Sequence, residues 1–348
     1  MKLLNDERGY QKLKTWLKTT RIQTAMVTAL ALWIGHVTVA QLTFRSSIFL
    51  GAIGVLVHIW GFTLNEVEDY KYDLKHSDAS GHPIAQGKVH AGSARILAWI
   101  AAVLAVVTML VSGAGVLPTT ILLCSFVPGF AYDKFSKKHW WANGYLSAWA
   151  VLMVLSGATY AGYPTRYTLI IGAAIGIQIF VQVIQGDLKD ISGEESTFAG
   201  ACGVQKASVR TDLLNIKSGN SSGMEVMSYS RLFTGTVYAL KLIEAMLIFL
   251  LVILTIDNFE NMAHIWAASA FIVGIMFMAT TSMFLVYMYD RDAIKKNSSI
   301  HELTSVLLLG LAVVWLDLSG AILIMFAPIA WYLLSNVVLN VSALNPDI

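Results

Sequence analysis

The chain has 348 residues, 56% hydrophobic and only 13% charged, with a mean hydropathy of +0.63, well outside the range of a soluble domain. Too few charged residues remain to cover a soluble core of that size, so the composition excludes a large soluble helical protein and points to the membrane. The formal net charge of +2 says little about partners, and no nucleic-acid partner is expected.

Residues 1–21, MKLLNDERGYQKLKTWLKTTR, mix Leu, Tyr and Trp with Lys and Arg at roughly helical spacing. This is the pattern of an interfacial amphipathic helix, or of a plain cytoplasmic lead-in. They carry charge throughout and precede an apolar run of spanning length, so no cleavable signal peptide is expected. Residues 22–348 then read as a single transmembrane domain. Apolar runs long enough to span a bilayer fall at 22–42, 46–64, 93–112, 116–132, 144–162, 166–186, 232–256, 262–289 and 302–320, and a tenth at 321–342. The expected fold class is an all-α integral membrane bundle of nine or ten helices. Of the 24 Lys and Arg, 21 lie in the N-terminal segment and in alternate loops, which predicts a multi-pass protein with its large loops in the cytoplasm. Cys124 and Cys202 stand alone and suggest neither a disulfide framework nor a zinc site.

The two most acidic loops, 65–92 and 187–230, begin where apolar helices end. In NEVEDYKYD, Asn65, Asp69 and Asp73 are four apart, so on a helix each is offset by only about 40° from the last. In GDLKDISGE, Asp187, Asp190 and Glu194 also share a face. Acids held this close repel one another and lose hydration, so a positive partner must offset them. Mg²⁺ suits that need, because it takes oxygen ligands and completes its shell with water and substrate phosphates. Two such rows facing each other would hold Mg²⁺ against a diphosphate, and a lipid-soluble isoprenyl diphosphate is the natural ligand, its tail in the bundle and its head at the membrane edge.

These residues resemble the UbiA-type intramembrane prenyltransferase superfamily. Asn65, Asp69 and Asp73 match its N-x-x-x-D-x-x-x-D motif, and Asp187, Asp190 and Glu194 match the second motif with Glu in the last place. HPIAQGKV from His82 resembles the R-P-x-x-x-G segment, and YDKFSKK, Tyr132 to Lys138, resembles the Y-S-x-x-x-K-R segment. The resemblance implies nine helices around a central cavity, a cap made by the acidic loops, and Mg²⁺-assisted ionisation of a polyprenyl diphosphate. It implies Asn65, Asp69, Asp73, Asp187, Asp190 and Glu194 as metal ligands, with Asp69, Asp73, Asp187 and Asp190 catalytic. It further implies Tyr132, Lys137 and Lys138 as diphosphate contacts, beside Asn65, His82, Lys75 and Lys189. His82 replaces the usual arginine, exchanging a permanent bidentate donor for a titratable one.

Other residues carry competing readings. His76, Asp78 and His82 read as a transition-metal site or as a polar loop near phosphate. His58 reads as a structural histidine or a base for an acceptor, and Lys241 with Glu244 as a buried pair or a functional site. Asp317 is expected to end a helix at the far membrane surface. Trp60, Phe62, Tyr145, Trp149 and Tyr160 are candidates to shield a carbocation. The expected function is transfer of a prenyl group to an aromatic or lipid acceptor. Alternatives are a membrane terpene cyclase of the same fold, and a transporter, which usually keeps its charges near the bilayer midplane.

Overall fold

A computed structural model describes residues 7–74, 82–136, 138–188, 191, 197–209, 224–255, 272, 274, 276, 299–302, 305–306, 310, 313–314 and 316–339. The charged N-terminal segment forms α1 (Glu7–Thr19), and a 3-10 turn at Ile22–Thr24 leads into α2 (Ala25–Val37). The long helices are α3 (Phe44–Asp73), α4 (Ala91–Val111), α5 (Val116–Phe135), α6 (Asn143–Ala161) and α7 (Arg166–Asp187). A short α8 (Phe198–Ala201), strands β1 (Gln205–Val209) and β2 (Met224–Ser228), α9 (Arg231–Thr255) and α10 (Leu318–Leu333) follow. Among the described residues seven helices are long and apolar enough to cross a membrane, and Ile22–Val37 is a shorter apolar helix.

Two expectations change and one is refined. The run at 46–64 does not stop at Leu64: α3 continues through Asp73 for 30 residues. Its length of about 45 Å exceeds a hydrocarbon core of about 30 Å, so the acidic motif rides on the overhanging end of a spanning helix rather than in a loop. The all-helical class holds, refined by one small hairpin in which β1 and β2 pair antiparallel with Gln205 opposite Ser228. Finally, Asp317 starts a helix. Its carboxylate caps α10, accepting the Ser319 N–H at 3.0 Å, and also takes the Leu42 N–H at 2.7 Å. The expected tenth span is therefore helical from Leu318. The expected span at 262–289 lies almost wholly outside the described residues, and that at 302–320 lies partly outside them.

Packing runs from α4 through α3, α2, α6 and α7 to α9, with α5 against α6, α3 and α4, and α10 against α2. Leu32, Ile53, Val57, Trp60, Leu122 and Met153 are among its fully buried members. Small residues set the closest crossings, as membrane helices require when lipid gives no hydrophobic drive between them. A Cβ on Gly35 would stand 2.0 Å from the Val154 carbonyl oxygen, and one on Gly157 would stand 2.0 Å from that of Leu32. So α2 and α6 meet backbone to backbone.

Candidate active site

The connectors 112–115 and 162–165 are too short for anything but antiparallel neighbours. They gather the C-terminal ends of α3, α5 and α7 and the N-terminal ends of α4 and α6 at one end of the bundle. The acids lie there: Asp69 and Asp73 on α3, Asp133 on α5, and Asp187 as the last residue of α7. A helix C-terminus carries roughly half a negative charge and favours cations. Carboxylates on three such ends raise the local negative potential, and with it the demand for a cationic ligand.

Asn65, one of the expected ligands, hydrogen-bonds through its side chain to Asp133. The Asp133 carboxylate is 7% exposed and feels electrostatic repulsion from Asp69 and Glu68; its Oδ2 is buried with no hydrogen-bond partner. Asp69 is half-buried on the same helix face as Asn65, its Oδ1 shielded from solvent. On the outer side of α3, Glu68 pairs with Lys134 at 2.6 Å and Arg95 at 3.3 Å. Across the mouth, Asn143 at the start of α6 donates its amide to Asp187 Oδ2 at 2.7 Å, tying α6 to α7.

His82 lies beside Glu66. Its Nδ1 is 3.0 Å from Glu66 Oε1, which also accepts from Arg21 Nη2 at 2.8 Å. Glu66 is 3% exposed, so it needs such partners. Arg21 itself has φ 46°, a left-handed backbone uncommon outside glycine, and its carbonyl takes the His58 Nε2 at 2.9 Å. The HPIAQGKV segment is anchored from beneath: Ile84 and Val89 pack with Val67, Ala94 and Trp16, and Gly87 takes φ 69° to turn the chain back. Glu66 thus joins the turn between α1 and α2, α3 and the 82–90 loop.

The chain matches the model of the UbiA prenyltransferase family over residues 24–197, from the turn before α2 to just past α7. The chain belongs to the UbiA prenyltransferase family. No curated protein sequence matches it. Among solved structures, a UbiA homologue from Archaeoglobus fulgidus bound to GPP and Mg²⁺ is 14% identical, with TM-score 0.59 over 87% of this chain and 99% of that one. A UbiA homologue from Aeropyrum pernix K1 is 12% identical, with TM-score 0.59 over 85% and 96%. A structure concerning digeranylgeranylglyceryl phosphate synthase in membranes is 17% identical, with TM-score 0.55 over 88% and 99%. At such identities the likeness speaks for the fold. Together with the seven apolar helices it makes this UbiA protein a multi-pass membrane protein.

Of the expected ligands in this UbiA chain, Asn65, Asp69 and Asp187 are placed at the helix-end cluster, and the backbone of Asp73 closes α3. Tyr132 and Lys138 flank it at the α5–α6 turn, Lys138 exposed. Lys75, Lys137, Lys189, Asp190 and Glu194 lie outside the described residues, as do His76 and Asp78. Among the described residues no three His, Cys, Asp or Glu side chains converge as a metal cage. Asp133 and Glu66 were not picked out from the sequence. Asp133 stands inside YDKFSKK, where the same signal, an acid ending an apolar helix, was available.

Beneath the acids lies an aromatic floor. Trp60 meets Phe126 edge-on at 4.7 Å between centroids, and a Cβ at Gly129 would stand 2.8 Å from Trp60 and 3.3 Å from Trp149. Phe62 stacks on His58 at 4.2 Å, Tyr160 lies against His36, and Tyr145 against Trp141. His58 has both ring nitrogens engaged, Nδ1 with Thr28 at 2.8 Å and Nε2 with Arg21, which fits the structural reading. Lys241 reaches Glu244 at 2.9 Å and also Gln178, the expected buried pair.

Proposed function

We propose that the protein is a Mg²⁺-dependent intramembrane prenyltransferase that ionises an isoprenyl diphosphate and passes the prenyl group to an aromatic or lipid acceptor. The observation that carries this reading is the gathering of carboxylates on the C-terminal ends of α3, α5 and α7 at one end of an apolar bundle. Homologues of the same fold bound to GPP and Mg²⁺ or to DMAPP and Mg²⁺ support it. So does the lopsided Lys and Arg distribution, which directs this mouth to the cytoplasm.

The donor set fits the ion. Asp133 keeps a buried oxygen without a partner, and the neighbouring donors are carboxylate and amide oxygens. Mg²⁺ needs only one or two carboxylates, with water and phosphate completing its octahedron, so a cage of three is not required. Asn65, Asp69 and Asp73 would hold it on one side, and Asp187, Asp190 and Glu194 on the other. The bound ion supplies neutralisation of the charge gathering on the departing diphosphate.

The chain's own residues do the rest. Asn143 fixes the orientation of Asp187. Tyr132, Lys137 and Lys138, with His82, Lys75 and Lys189, contact the diphosphate, while the apolar helices exclude water from the prenyl tail. As the carbon–oxygen bond breaks, its electron pair leaves with the diphosphate, and the π faces of Trp60 and Trp149 stand below the allylic cation. The acceptor's nucleophilic atom supplies the pair for the new bond and gives up its proton.

Purified protein in detergent, incubated with geranyl, farnesyl or geranylgeranyl diphosphate, Mg²⁺ and candidate acceptors, is expected to give an acceptor-dependent adduct by mass spectrometry. Asp69→Ala and Asp187→Ala should lose it, and EDTA should stop the wild type. Full activity in both variants refutes the metal site; a terpene hydrocarbon or alcohol formed without acceptor refutes transfer in favour of cyclisation.

A further inference from the structure

Asp133 belongs to neither acidic motif, and its position is costly. It is buried, it lies in the last turn of α5 where the helix dipole disfavours an anion, and Asp69 and Glu68 repel it. Lys134, its neighbour in sequence, turns outward to Glu68, and its attraction on Asp133 is smaller than the repulsion from Asp69 or from Glu68. The hydrogen bond from the Asn65 amide orients the Asp133 carboxylate without cancelling its charge, and Oδ2 has no hydrogen-bond partner among the described residues. A buried carboxylate left in this state is strongly disfavoured. A serine, which the resembling Y-S-x-x-x-K-R segment carries at this place, would cost far less, so packing does not account for an acid here.

We propose that Asp133 is a metal ligand: α5 adds its carboxylate to the Asn65 and Asp69 row of α3, at the same divalent cation. The inference rests on the reading of this end as a divalent-metal centre. It explains two features at once. Oδ2 is the ligand oxygen, which is why no protein donor meets it. An ionised carboxylate only accepts hydrogen bonds, so Asn65 presents its NH₂ to Asp133, and its own carbonyl oxygen is left to turn toward the ion. The amide becomes an oriented ligand because the acid beside it fixes which end is which. Three donors on two helices then define one side of the site, and the cation in turn holds α3 to α5.

The test uses full-length protein in detergent and Mn²⁺ as a stand-in for Mg²⁺, with free Mn²⁺ read by EPR and apparent Tm measured in EDTA. Asp133→Asn and Asp133→Ser should each raise the Mn²⁺ Kd about tenfold or more, no less than the loss of a ligand's outer partner. In EDTA both should melt at or above the wild type, because a repelled carboxylate is gone. A structural carboxylate gives the opposite pair of results: a lower Tm in EDTA and an unchanged Kd. Either of these overturns the proposal. Asp69→Asn is the reference. If it too binds Mn²⁺ as the wild type does, the metal centre itself is refuted; if it loses Mn²⁺ while both Asp133 variants keep it, only the role of Asp133 falls.

Discussion

Replacing Gly157 by Ala probes the crossing of α2 and α6. The new Cβ would stand 2.0 Å from the Leu32 carbonyl oxygen, where real contacts essentially never fall below 3.0 Å. The obstacle is backbone, with no side chain to swing aside, so the helices must part by about 1 Å. Overpacking of this kind costs about 1–3 kcal/mol, against a gain of about 1 kcal/mol in helix propensity. A net loss of up to about 2 kcal/mol is therefore expected, seen as a lower apparent Tm in detergent. The displacement also reaches the site. Asn143 lies on the same rigid helix about 21 Å away, and its 2.7 Å bond to Asp187 does not survive a 1 Å shift. Prenyl transfer should consequently fall further than the loss of folded protein explains. A Gly157→Ala protein that melts at or above the wild type refutes the backbone contact.

Glu66→Ala should leave Arg21 and His82 without their shared acceptor, costing about 1.5–3 kcal/mol and speeding proteolysis within residues 1–24; unchanged cleavage would sink that role. Lys241→Met leaves Glu244 buried and uncompensated, a loss of about 3–5 kcal/mol, whereas Lys241→Met with Glu244→Met should recover most of it. A double variant as unstable as the single one contradicts a purely paired role. Asp317→Ala should cost about 1 kcal/mol at pH 7. Burial pushes the Asp317 carboxyl up, but hydrogen bonds from Leu42, Ser319 and Gly320 outweigh it and hold it below the usual carboxylate range. A depressed folded value means this stability is present above the unfolded value of about 3.9 and lost as pH falls through the folded one. The gap in Tm between wild type and variant should close below about pH 4, and a gap independent of pH argues against the cap.

The bundle was legible because lipid imposes length and apolarity on every span, and the motifs because four-residue spacing lines acids up on one helix face. More could have been read at α3. Val57, Trp60, Leu64 and Val67 are all buried, a stripe at helical spacing that crosses from the apolar run into the acids, with no Gly or Pro from Leu64 to Asp73 to interrupt it. Stopping at Leu64 followed hydropathy where periodicity was the better guide. Asp317 before Leu-Ser-Gly is likewise an N-cap signature. The pairing of Arg21 with Glu66, 45 residues apart, was beyond reach, since no local rule brings α1 back over the end of α3. The hairpin was hidden for a similar reason: the 14 residues between its strands leave register without a short turn to announce it.

The partners at this mouth divide by kind. The cations go to acids outside the metal rows: Arg21 and His82 to Glu66, Arg95 and Lys134 to Glu68. Among the described residues, Asp133 takes an amide, that of Asn65, and Asn143 adds its amide to Asp187. A guanidinium or ammonium against a carboxylate both orients it and cancels its charge; an amide only orients it. If these acids served stability alone, exchanging donors between the two groups would be an improvement, because Asp133, buried like Glu66, also stands in the worse helix-dipole position. The chain instead cancels charge where the acids link the turn after α1, the 82–90 loop and α4 to the bundle, and leaves Asp133 oriented but uncancelled, the arrangement that the proposed divalent cation would complete.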